Sequence, residues 1–275
     1  LHQNSTGDSN VAIGYEAGAY VTTGTNNTFI GGLAGDATTT GAGNVAVGYA
    51  SLGANTTGQE NVVVGRQALD ANSTGSDNVA VGQSALGNST TASNNTAVGY
   101  YALLSNTTGT QNVAVGARAL DANTTANSGT AVGNNALSAN TTGPENVAVG
   151  ESALELNTTG GTNVAVGREA LAANTTASNN TGLGYRALTA NTTGTQNVAV
   201  GAGALDANTT ANENTAVGHS ALTSSTTAAG NTAVGWGSMI TNTTGFASVA
   251  VGLSSLGSQT TGSYNTALGY NAGTS

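Results

Sequence analysis

Apolar and polar positions along this chain obey one fixed period. Counting from Asn10, every seventeenth residue restarts the same phrase: an Asn (Gly129 and Ser248 excepted), three mostly β-branched or small residues, then a Gly. The restart recurs sixteen times, up to Asn265, without an insertion or a deletion. Within this unit, slots 2 to 4 (VAV or TAV) have the period-2 pattern of a short strand. Slot 5 is Gly throughout, from Gly14 to Gly269, which suits a positive φ or a position where a side chain would clash. Slots 8 and 9 (Ala-Leu) predict a second short segment, and slots 12 to 14 (Asn-Thr-Thr) a third. Seventeen residues are too few for a helical repeat. The unit is rich in β-branched residues punctuated by Gly and Asn. The expected fold is therefore all-β: a parallel β-solenoid of about sixteen coils, forming a single continuous domain over residues 1–275.

The interior is expected from slots 2, 4 and 9, stacked coil upon coil at about 4.8 Å per step, which gives a rod of roughly 75 Å. Its core ladder comprises Val64, Val81, Val98, Val115, Val149, Leu69, Leu86 and Leu120. One of the two Thr slots, 13 or 14, is expected to face inward as well. The Asn of slot 1 reads as a corner ladder of amide bonded to amide, with slot 12 a second corner. Charge gives an independent check. All thirteen acidic residues and all four Arg fall in slots 6, 7, 10, 16 or 17, which marks those slots as solvent-facing.

The same count explains an echo. NVAVGARALDANTTAN at Asn112 returns as NVAVGAGALDANTTAN at Asn197, five coils later. A solenoid lengthens by copying whole coils, because each coil touches only its neighbours.

Composition narrows the function. The net charge is −9 and no Lys is present, so a polyanion such as nucleic acid finds no basic cluster to displace its counterions. There is no Cys, hence no disulfide or thiolate metal site. No apolar run approaches the roughly 20 residues that cross a bilayer as a helix. His2 and His219 lie far apart, carboxylates sit singly on outer slots, and no catalytic triad or zinc motif occurs. The calcium-binding nonapeptide is missing too. The expectation is a chain that is not an enzyme and holds no cofactor or metal.

The runs NVAVG at Asn112 and NTAVG at Asn214 resemble the head repeats of trimeric autotransporter adhesins, the YadA-like heads. Arrays of Asn-Thr-Ala-Val-Gly-Tyr with Asn-Thr-Thr-Gly are also similar to those of phage-type tail fibre proteins. The resemblance covers essentially the whole chain. It implies a left-handed parallel β-roll, often trimeric, displayed on a cell or virion surface.

Several surfaces are candidates for contact. Slot 3 neighbours two residues assigned inward, so Ala80, Ala97, Ala114, Ala148 and Ala165 are expected to form an outward, uncharged stripe. Such a stripe suits lateral packing on another chain, against the plainer reading that Ala merely fits a tight coil. The slot 6 aromatics Tyr49, Tyr100, Tyr185 and Trp236 are expected to be exposed, as surface cover or as contacts with sugars or protein. The double Thr row invites an ice-binding reading, weakened because adjacent Thr face opposite ways on a strand. The Asn-Thr-Thr units match the N-glycosylation sequon, although the same residues make a good turn.

No capping element is visible at either end. Leu1 enters at slot 9 and Ser275 stands at slot 11. Gly18, in the first coil with Gly14, and Gly269 with Gly273 in the last share an irregular slot 9. Leu1, Gly18, Gly269 and Gly273 are therefore expected to mediate end-to-end contacts. The expected function is a structural extracellular fibre or adhesin-like rod, associating with itself as a homotrimer or end-to-end polymer. Host surface, glycan or matrix are further partners. The alternative is an ice- or glycan-binding solenoid.

Overall fold

The computed structural model describes residues 1–274; Ser275 lies outside the described residues. The chain is an all-β parallel β-solenoid with one three-residue strand per coil, always in slots 2 to 4. Its contacts divide it into two compact units, Leu1–Thr142 and Gly143–Ser275. The first unit carries eight strands, from Val11–Ile13 to Thr130–Val132, and the second eight more, from Val147–Val149 to Thr266–Leu268.

Within each unit every strand pairs in parallel with the strand one coil on, slot opposite slot. In the first, Val79 lies beside Thr96, Ala80 beside Ala97 and Val81 beside Val98. In the second, Val198 lies beside Thr215 and Ala199 beside Ala216. Slots 8 to 14 are turns and bends rather than further strands. Their backbones still bond from coil to coil: Leu86 N–H donates to Ala102 O at 3.0 Å and Thr56 N–H to Ser73 O at 2.9 Å. So short a coil cannot stand alone, and its stability is shared with its neighbours.

The predicted alternation of slots 2 to 4 is present with the opposite phase. Ala80, Ala97, Ala114, Ala148 and Ala165 point inward and are fully buried. The valines assigned to the core point outward: Val64 and Val115 are 39% and 37% exposed, and Val81, Val98 and Val149 are half-buried. The reason is width. The coil interior also receives Ala or Ser at slot 8, Leu at slot 9, Asn at slots 1 and 12, and Gly or Ala at slot 15. Leu69, Leu86 and Leu120 are buried there. Where a Leu already fills the coil, the facing wall has room for little more than a methyl group, and close packing admits no more volume.

Volume exchange makes the same point. Phe29 occupies slot 3 and is fully buried, and the slot 9 residues on either side of it are Gly18 and Gly35. A Cβ on Gly18 would stand 2.8 Å from the Phe29 ring, and one on Gly35 would stand 2.4 Å from it. Gly18 is buried, and its lack of a side chain makes room for the Phe29 ring. Of the other residues assigned to the ends, Leu1 donates from its terminal amine to Ala17 O at 3.3 Å. A Cβ on Gly273 would meet Leu256, and one on Gly269 would meet nothing.

Two columns of buried Asn run along each unit. In slot 1, Asn78 donates to Asn61 Oδ1 at 3.1 Å and to Ala92 O at 2.9 Å, while its own Oδ1 accepts from the backbone N–H of Asn95 at 3.0 Å. In slot 12, Asn72 donates to Asn55 Oδ1 at 3.0 Å and to Gly75 O at 2.9 Å. Buried amides are tolerable because these bonds satisfy them. Slots 7, 9 and 17 take the left-handed backbone, as at Gln67, Leu69 and Asp77. At slot 5, Gly116 has φ 136°, and a Cβ there would stand 2.4 Å from Gly133 O. Both grounds for expecting Gly at slot 5 hold together.

Candidate functional site

With the small residues turned inward, the strand face presents the larger ones to solvent. Slot 2 (Val or Thr) and slot 4 (Val, Ile or Leu) form two parallel rows along each unit. Val62, Val64, Val113 and Val115 are all more than a third exposed. No charged residue occurs in slots 1 to 5 of any coil. An uncharged strip of this kind, apolar along slot 4 and mixing Val with Thr along slot 2, is unusual on a free surface.

The Thr pair lies in the opposite bend. Both residues face out: slot 13 is mostly half-buried and slot 14 exposed in every coil. The inward Thr expected from alternation is absent because this segment is a bend, not a strand. The slot 13 hydroxyls are occupied, donating to the next coil's slot 13 carbonyl, as Thr56 does to Ser73 O at 2.9 Å and Thr192 to Thr209 O at 3.0 Å. Each coil thus offers one free Thr hydroxyl, in slot 14. The sequons are closed by the same fold. The side-chain amides of Asn106 and Asn174 are buried and donate to Gly109 O and Ala177 O.

The aromatic side chains of slot 6 are exposed, Tyr49 by 55%, Tyr185 by 50% and Trp236 by 53%. Their surroundings differ. Tyr100 is covered by Tyr101, with ring centroids 3.9 Å apart. The Tyr101 hydrogen bond raises the Tyr100 phenol above its ordinary pKa. Trp236 and His219, in slot 6 of successive coils, stack within 8° of parallel with centroids 6.2 Å apart. Phe246 and Tyr264 meet edge to face at 5.1 Å.

Charges keep to slots 6, 7, 10, 16 and 17. In the second unit Arg168 reaches Glu151 at 3.4 Å and Glu169 at 2.9 Å, and Arg186 approaches Glu169 at 3.7 Å and Asp206 at 3.6 Å. Exposed pairs of this kind contribute little each. Slot 10 carries Asp36, Asp70, Asp121 and Asp206, and partial burial pushes each carboxyl above its ordinary pKa. Asp36 adds to the effect at Asp70, whereas Arg118 opposes it at Asp121 and Arg186 at Asp206. No group of three or more metal-ligating side chains occurs among the described residues. No helix among them is long and apolar enough to cross a membrane.

No family model matches the chain, and no curated protein does either.

One feature of the sequence bears on the surface and was missed by counting slots. From Asn214 to Thr274 there is no Asp, Glu, Lys or Arg, yet this stretch holds Trp236, Phe246, Tyr264 and Tyr270. Charge is therefore confined to the part before Asn214, whereas aromatic residues occur on both sides of it. Slot counting overlooked this because it averages over coils.

Proposed function

We propose that this chain is a non-enzymatic structural subunit of an extracellular or virion-surface fibre, and that copies of it pack laterally through the slot 2 and slot 4 strip. The observation that carries this reading is the strip itself: uncharged, apolar along slot 4, Val or Thr along slot 2, and repeated in coil after coil. Two rows over eight coils expose several hundred Å² per unit, on the order of one partner's share of a standard interface. A second copy suits the strip better than a foreign partner, because two identical solenoids share one axial spacing. Rows of Val on one then mesh with rows on the other without drifting out of step. The resemblance of NVAVG and NTAVG to adhesin head repeats supports a trimer. The strip takes over the lateral role first assigned to the Ala row, which lies inside.

The test is the particle mass of the full chain by light scattering, with Val64, Val115 and Val149 together changed to Lys as the comparison. The parent is expected to be a trimer or larger, and the variant a folded monomer with an unchanged circular dichroism spectrum. A monomeric parent, or a triple-Lys variant that still associates, would refute the proposal.

A further inference from the structure

We infer that the second unit binds one internal water molecule at Ser225, where it completes the slot 12 amide column between Asn208 and Asn242. The column itself sets the requirement. Asn191 donates to Asn174 Oδ1, one coil back, at 3.0 Å and to the slot 15 carbonyl of its own coil, Gly194 O, at 2.9 Å. Asn208 repeats the pattern on Asn191 Oδ1 at 2.9 Å and Ala211 O at 3.2 Å. The next coil has Ser225 in place of Asn. Asn208 Oδ1 and Ser225 Oγ are both without a hydrogen-bond partner, in side chains that have no exposure to solvent, and neither reaches the other. One coil on, Asn242 Nδ2 donates to Gly245 O at 2.9 Å, and by the pattern of the column its second N–H is turned toward slot 12 of the Ser225 coil. Buried polar groups left unmet in this way are costly and rare.

The neighbouring backbone carries an independent mark of the site. Beside Ser225, Thr226 bonds to Thr243 O from its N–H at 3.3 Å and from its hydroxyl at 3.4 Å. One coil on, Thr243 makes the same two bonds to Thr260 O at 2.8 and 3.0 Å. Ser89, the other Ser in the column, has the same effect: the bonds of Thr90 to Thr107 O are 3.2 and 3.3 Å. Thr38 also replaces an Asn but carries an extra methyl group, and the bonds of Thr39 to Thr56 O stay at 2.9 and 3.0 Å. The lengthening therefore follows the small side chain rather than the loss of the amide. At Ser89 the preceding amide oxygen, Asn72 Oδ1, accepts from Gly75 N–H at 3.1 Å. Ser225 is the place where a short side chain and an unmet amide oxygen coincide.

These groups select the ligand. It must donate to Asn208 Oδ1, accept from the Asn242 amide and meet the Ser225 hydroxyl. It must also be small, because Ser gives up only two heavy atoms relative to Asn. An apolar group would leave all three partners unmet, and a cation would face the Asn242 N–H with no charged side chain anywhere in slot 12 to hold it. A water molecule satisfies every condition, and three hydrogen bonds are about what a buried water makes. The site is enclosed by the coil, so its occupancy is independent of whether the valine strip pairs one copy with another.

The test is a crystal structure of the full chain at a resolution that orders internal water, beside those of Ser225→Asn and Ser225→Thr. In the parent a water is expected within hydrogen-bond reach of Asn208 Oδ1, Ser225 Oγ and Asn242 Nδ2. In Ser225→Asn the new amide is expected to displace it and to donate to Asn208 Oδ1 directly. Exchange of the Thr226 amide hydrogen should then slow roughly tenfold, as its bond to Thr243 O shortens. Ser225→Thr, with the extra methyl group of Thr38, is expected to exclude the water as well. The inference is overturned if the parent site is dry or holds a cation, or if Asn208 Oδ1 and Ser225 Oγ bond to one another. It is equally overturned if either variant keeps the water, or if Thr226 exchanges as fast in Ser225→Asn as in the parent. Should a variant fail to fold, the parent map decides alone.

Discussion

Replacing Asn78 with Ala tests whether the buried amide column holds the coils together. The Ala variant loses four hydrogen bonds: the amide's donations to Asn61 Oδ1 and Ala92 O, and the acceptance by Asn78 Oδ1 of the backbone and side-chain N–H of Asn95. The backbone bond from residue 78 to Asn61 Oδ1 survives. At about 1 kcal/mol net per bond, with a further 1–3 for a buried N–H left unpaired at Asn95, the cost is about 5–7 kcal/mol before relaxation. The chain supplies its own control. Ser248 stands in slot 1, and its Oγ accepts from the Asn265 N–H at 3.1 Å. Asn78→Ser is therefore expected to keep Asn95 paired and to cost about half as much. Urea unfolding followed by circular dichroism gives the global figure. Because long repeat arrays can unfold piecemeal, hydrogen exchange at the Asn95 amide gives the local one. Protection there should collapse in the Ala variant and persist in the Ser variant. Equal destabilisation by the two changes, or full protection of Asn95 in Asn78→Ala, would refute the reasoning.

Two further outcomes follow from burial and charge. Ala114→Leu forces volume into a filled interior and is expected to cost about 1–3 kcal/mol or more. Its neighbour Val115→Thr, on the outside, should stay within about 0.5 kcal/mol in the monomer. Thermal melts that rank the two the other way would put the valines back in the core. The slot 10 carboxyls are raised in the folded chain, so between the unfolded and folded values the native state holds more protons than the unfolded one. Stability is then greatest below the unfolded carboxylate value of about 3.9 and falls as pH rises through the folded values. The melting temperature is expected to rise on acidification from about pH 7 to about pH 4, and Asp70→Asn should raise it at neutral pH and flatten the profile. A lower melting temperature in acid would contradict this account.

Periodicity made the coil, the strand position, the Gly corner and the Asn columns legible from sequence alone. Each depends on one residue type recurring where no other fits. The phase of the strand did not follow, because alternation says which residues share a face without saying which face is inside. A clue was present at slot 2, where Val and Thr interchange freely. That exchange is costly where a hydroxyl must be buried and cheap where it meets water. The near-constant Ala of slot 3 was the complementary sign, since a wall that faces Leu has room for little more than a methyl group. The stacking of Trp236 on His219 follows from the period, because both stand in slot 6 of successive coils. The clearing of charge from Asn214 onward was readable, but only by following composition along the chain.

The exchange between Phe29 and the glycines that flank it has a consequence for ancestry. A large side chain can cross from one wall of the coil to the other, provided the wall it faces gives up its own. What passes from coil to coil is then a filling of fixed size, and the residue that supplies it is free to change sides. The coil that sets Phe29 against Gly35 is the same object with its weight shifted. Its likeness to the other coils is recorded in the sum of two facing positions, where a comparison column by column would see only divergence.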